Sequence, residues 1–102
     1  MARMLVVYQT PKDAAAFNNH YFGTHVPLAK KIPGLRHYEV SQGPIMTPAG
    51  PSDFHLVATL HFDDMTAIEN AFSSAEGKAA AADVLKFTSD RPLMLLFDNR
   101  EV

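Results

Sequence analysis

Two short runs set the tightest limit on what this chain can fold into. Met4-Leu5-Val6-Val7-Tyr8 near the start and Leu93-Met94-Leu95-Leu96-Phe97 near the end are apolar throughout and rich in strand formers. A strand with one wet face alternates apolar and polar residues, and these two do not. Both faces of each are therefore expected to be covered. The chain has no spare element for a second cover, so a second copy packing sheet against sheet about a two-fold axis is expected.

The residues between them supply the other elements. Asp13 reads as an N-cap, its side-chain oxygen accepting from first-turn amides. In the helix after it, Ala14, Phe17, Tyr21, His25, Leu28 and Ile32 form one apolar stripe. Gly23 and Pro27 predict a break near Gly23 and a restart capped by Thr24, with Pro27 in the new first turn. Pro33-Gly34 is a turn, and Leu35–Val40 a strand with Leu35, His37 and Glu39 on one face and Tyr38 on the other. Gly43-Pro44, Pro48 and Gly50-Pro51 mark a long loop. Phe54–Phe62 is the cleanest strand, with Phe54, Leu56, Ala58, Leu60 and Phe62 on one face and His55, Val57, Thr59 and His61 on the other. Asp63 reads as the cap of a helix buried through Met65, Ile68 and Phe72, and Gly77 as its boundary with an alanine-rich helix ending near Leu85. The order β-α-β-β-α-β is that of an α+β, ferredoxin-like antiparallel sheet, and the 102 residues are expected to form one domain.

Composition removes several classes of function. A net charge of −2, with no basic run longer than Lys30-Lys31, argues against nucleic acid as a partner. With 0 Cys there are no disulfides, thiolate nucleophiles or zinc ribbons. No apolar run approaches the ~18 residues of a membrane span, and no signal-peptide pattern precedes Met4, so a reducing cytoplasm is the default location. Glycine-rich nucleotide loops and a Gly-x-Ser-x-Gly nucleophile turn are absent. His55 and His61 lie ~20 Å apart along one strand and cannot chelate one ion. No metal, no nucleotide and no other cofactor is therefore expected.

The remaining chemistry rests on histidine, which exchanges protons near neutral pH. His25 lies within the apolar helix stripe, and His55 begins the strand face that a second sheet would cover. Both are candidate acid/base catalysts, proposed to share one pocket. Tyr21 and Tyr38 lie nearby, with Phe17, Val57 and Phe87 as apolar wall for a substrate. His20, His37 and His61 read as surface residues.

Tyr21-Phe22-Gly23-Thr24-His25-Val26-Pro27-Leu28, then Pro33-Gly34-Leu35, Tyr38-Glu39-Val40, Phe54-His55-Leu56-Val57, Asp83 and Phe87-Thr88 occur in order along nearly the whole chain. This ordered set resembles the EthD family, named for ethyl tert-butyl ether degradation. The resemblance implies a dimeric α+β barrel holding a small aromatic or lactone ligand between sheet and helices. Related barrels include cofactor-free monooxygenases, muconolactone isomerases and decarboxylases. His25 matches the recurrent histidine before the Pro-Leu pair, and His55 the one opening the third strand. Three functions are compatible with these residues: a cofactor-free enzyme for a small hydrophobic metabolite, a non-catalytic binder serving a degradation or biosynthetic pathway, or an oligomerisation module.

Overall fold

Alternation in the long central strand fixes the architecture. The computed structural model describes residues 1–102. Its strands are β1 (Ala2–Gln9), β2 (His37–Val40), β3 (Met46–Thr47), β4 (Gly50–Pro51), β5 (Phe54–Phe62) and β6 (Leu93–Asp98). Its helices are α1 (Ala14–His20), α2 (Val26–Ala29), α3 (Met65–Ser73) and α4 (Ala75–Phe87). Four strands form an antiparallel sheet in the order β2-β5-β1-β6, while β3 and β4 make a separate small hairpin. The fold is α+β and ferredoxin-like.

Leu56, Ala58, Leu60 and Phe62 of β5 and Met4, Val6 and Tyr8 of β1 point into the core, where Phe17, Tyr21, Ile32, Ile68 and Val84 meet them. The other side of the sheet is open. Its rows are set by the strand register: His37, His61, Arg3 and Phe97 in the first, Glu39, Thr59, Leu5 and Leu95 in the second. Val57, Val7 and Leu93 form the third. Polar residues gather toward β2 and apolar ones toward β6.

The two apolar runs behave differently. Strand β1 is central and alternates buried with half-buried residues. Strand β6 is an edge, and in the single chain Leu93–Phe97 are 39–54% exposed on both faces. Within one chain, then, β6 is not the doubly buried strand its composition suggested.

Three local expectations need correction. The first helix does not break at Gly23, and Thr24 caps nothing. The backbone stays helical through a wide π-type turn, Tyr21–His25, closed by the Val26 N–H donating to the Tyr21 carbonyl. A regular α-helix would set the Pro27 ring against the Gly23 carbonyl, and the widened turn gives it room. The cap of α3 is Asp64, whose carboxylate accepts from Ala67 N–H at 2.7 Å, while Asp63 accepts two bonds from the Arg36 guanidinium at 3.1 and 2.8 Å. The α3–α4 boundary is Ser74, which accepts from Gly77 N–H at 3.0 Å. Gly77 sits inside α4, and a Cβ there would lie 2.0 Å from the Ala71 carbonyl oxygen, so the glycine permits the close approach of the two helices. Gly34, by contrast, has the positive φ of 82° that the Pro33-Gly34 turn requires.

Candidate functional site

Phe17, Tyr21, His25 and Ala29 are spaced by four residues and are all buried. In a regular α-helix that spacing drifts around the axis, and the wide turn at 21–25 takes up part of the drift. It thereby holds Tyr21 and His25 toward the sheet together.

His25 is 6% exposed, and its Nδ1–H donates to Asp83 Oδ2 at 3.0 Å. Asp83, on α4 and 3% exposed, also accepts from His20 Nε2–H, with distances of 3.0 and 3.1 Å to its two oxygens. Burial alone would raise the Asp83 carboxyl, but the bonds from His20 and His25 outweigh it and hold the group below its ordinary range. Burial lowers His25, a shift the Asp83 bond opposes without reversing, so the imidazole is neutral at neutral pH. An ionised carboxylate only accepts, so the His25 proton sits on Nδ1 and the Nε2 lone pair is free of any protein donor.

The Tyr21 and Tyr38 hydroxyls lie 2.6 Å apart. Burial pushes the Tyr21 phenol far above its usual range, reinforced by Tyr38, and pushes Tyr38 up less because its bond to Tyr21 works the other way. Both phenols keep their protons, either oxygen can be the donor of their shared bond, and the other hydroxyl proton is left for a further acceptor. Burial raises Tyr8 too, with Tyr38 and Asp83 adding to the effect. Phe87 packs on His25, His20, Tyr21, Phe17 and Tyr8 with centroid distances of 4.9–5.7 Å.

Tyr8, Tyr21, His25 and Tyr38 line a cavity of about 30 Å³ between helices and sheet, room for about one water. At its outer side Ala81, Val84 and Met94 are shared with an open groove of about 330 Å³ between α4 and β6. The structure thus brings Tyr21, His25 and Tyr38 to one cavity, with Phe17 and Phe87 packed behind them as ring neighbours and not on its lining.

It does not bring His55 into that cavity. His55 Nε2 bonds Asn18 Oδ1 at 2.8 Å, its ring stands edge-on to Phe17 at 4.9 Å, and it lines a separate outer cleft with Phe22 and Pro44. The register shift between Tyr8 and Gln9 falls at His55, so this ring meets α1 at Asn18 and Phe17 instead of taking the face a second sheet would cover. Alternation along the rest of β5 puts Val57 on the open face, away from the cavity. Phe54, expected to face the helices, is 41% exposed beside a register shift at Tyr8/Gln9. His20 is no free surface residue: its side chain is 29% exposed and held by Asp83. The sequence does not single out Asp83 as a site residue, although a carboxylate on the apolar stripe of an alanine-rich helix is the available signal. On the open face, His61 Nε2 lies against the Glu39 carboxylate without the alignment of a hydrogen bond, and its ring stands edge-on to His37 at 5.6 Å.

A family model described as the EthD domain matches residues 9–91. An uncharacterised 11.0 kDa protein from the thcB-thcC intergenic region of Rhodococcus erythropolis is 38% identical over 102 residues, covering 100% of this chain and 98% of its own. The crystal structure of an ethyl tert-butyl ether degradation (EthD) family protein from Bacillus halodurans is 35% identical, with a TM-score of 0.90 over 98% of this chain and 99% of its own. SnoaB, a cofactor-independent oxygenase from Streptomyces nogalater, is 15% identical with a TM-score of 0.69 over 99% of this chain and 94% of its own, a likeness of fold. With a family match across residues 9–91 and full-length relatives at 35% and 38% identity, the chain belongs to the EthD family.

Proposed function

We propose that this protein binds a small hydrophobic or aromatic metabolite and transforms it by histidine acid/base chemistry of the monooxygenase, isomerase or decarboxylase kind. The observation that carries the reading is His25: its Nδ1 is tied to a buried, ionised Asp83, and its Nε2 lone pair is unpartnered at an aromatic cavity. Such an imidazole can take a proton from an acidic C–H or O–H of a ligand, and Asp83 steadies the imidazolium that results. The Tyr38 hydroxyl can donate to an oxygen on the same ligand. Phe17, Tyr21 and Phe87 supply ring contacts, and His55 with Asn18 lies just outside Phe17. An aromatic ligand needs far more than 30 Å³, so entry requires the wall at Met94 and Val84 to open on the adjacent groove. The fold shared with a cofactor-independent oxygenase supports chemistry carried by side chains alone.

We also propose a homodimer, packed through the open face where Leu5, Val7, Leu93 and Leu95 leave an apolar area uncovered. Val57 belongs to that interface.

Proton exchange in D₂O with a panel of naphthols and unsaturated lactones tests the catalytic reading. Bound ligands should exchange an acidic C–H, and His25→Gln should slow exchange by about 10²-fold or more while binding persists. Binding without exchange by the wild-type protein would leave only the accessory-binder reading. Failure to bind any of the panel would count against both.

A further inference from the structure

Between β2 and β5 the chain runs from Ser41 to Ser52 without a charged residue. Its β3–β4 hairpin makes its main contacts within itself rather than with other elements, and Met46 at its start is 60% exposed. An uncharged, apolar arm held off its own body is a surface in want of a partner.

A matching surface exists at the opposite edge of the sheet. The groove between α4 and β6 is walled by Ala81, Val84, Leu85, Pro92 and Met94, with Arg91 at its rim. Leu85 is 64% and Met94 42% exposed. Ala81, Val84 and Met94 also wall the cavity that contains His25, so this groove lies on the outer side of that wall.

Resting on the homodimer proposed above, we infer that the hairpin arm of a second copy docks in this groove and covers that wall of the cavity, so that each site is completed by its partner. Two in-plane two-fold axes could pair the open faces. An axis across the strands sets β2 on its own copy and Glu39 against Glu39, a like-charge pairing. An axis along the strands sets β2 against the second copy's β6 and brings Glu39 diagonally toward the second copy's Arg3, a complementary one. It also lets both sheet edges meet and close.

Strand direction then fixes where the arm emerges. With all neighbours antiparallel, β2 ends at the same end of the sheet at which β6 begins. Under the along-strand axis, the chain leaving Val40 comes out beside Leu93 of the second copy, next to the groove. From Val40 to the tip near Pro48 the arm can reach roughly 25 Å, against about 10 Å between packed sheets. That is enough to round the β6 edge and place Ile45, Met46 and Pro48 on the groove's apolar wall.

The chain has 0 Cys, so cross-linking can be read cleanly. The double variant Met46→Cys/Leu85→Cys, both positions being exposed, is treated with a short bis-maleimide and followed by denaturing electrophoresis and light scattering. Ala49→Cys/Leu85→Cys serves as a second pair. A covalent dimer as the main product, absent from each single variant, is the expected result. A dimer by light scattering that links only within a chain, or not at all, overturns the arm's placement and leaves the homodimer standing. A monomer overturns both.

Discussion

Two histidine–carboxylate clusters lie on opposite faces of one sheet, and they share little beyond composition. In the first, Asp83 is almost fully buried, accepts from His20 and His25, and is enclosed by aromatic rings. In the second, Glu39 has a 67% exposed side chain and lies against a His61 nitrogen that is not aligned to bond it. Water reaches the Glu39 carboxylate of the second pair, whereas in the first Asp83 and His25 are nearly sealed and only His20 is partly exposed. The same residue types are thus a committed network on one face and a loose pairing, waiting on whatever covers it, on the other.

Asp83→Ala strikes the first cluster at its centre. It leaves the His25 Nδ1–H buried without an acceptor and frees His20, and should cost about 3 kcal/mol of unfolding free energy in urea titrations. A loss below about 1 kcal/mol would mean that the two imidazoles find other partners easily, and the contrast between the faces would weaken.

A smaller effect is expected along the acid limb. The folded state lowers His25 below the ordinary 6.5 of histidine, so the unfolded chain binds more protons there. The stability His25 contributes is complete above that value and drains away as pH falls through the depressed one. Asp83 adds a second loss below the ordinary 3.8 of aspartate. Melts from pH 7 downward should show the first step in the wild-type protein and not in His25→Gln. An unchanged slope in that variant would assign the step elsewhere.

The smallest effect belongs to Glu39→Gln. On a single chain, removing a mostly exposed partner should shift stability by less than about 0.5 kcal/mol. A larger loss that grows with protein concentration would sharpen the comparison differently, by showing the second cluster to be covered in an assembly.

Much of the molecule is legible in the chain. Alternation in Phe54–Phe62 tells which face of β5 meets the helices, and the stripe through Phe17, Tyr21 and His25 places three side chains of the site. The rest depends on contacts far apart in sequence. Asp83 meets His25 across 58 positions and His20 across 63, a relation that no local pattern encodes. Tyr38 finds Tyr21 only because β2 pairs with β5. Local signals also mislead where two candidates stand side by side: Asp63 and Asp64 are equal as caps until Arg36 claims one of them.

The wide turn at Tyr21–His25 has a consequence for how this segment tolerates change in length. A helix advances by about 100° per residue, so the winding and the residue count of the turn together set how α2 faces relative to α1. No neighbour lies within 4 Å of where a Cβ on Gly23 would be, so substitution there meets no obstacle. Losing one residue would change the winding and hardly the phase. Five residues in the wide turn rotate the chain about as far as four at ordinary helical winding, so the turn would close and Val26 onward would keep nearly the same facing. Ala29 and Ile32 would stay on the core side, but the Pro27 ring would lose the room that the wide turn gives it. The extra residue therefore serves the proline, while the facing of the helix survives its removal.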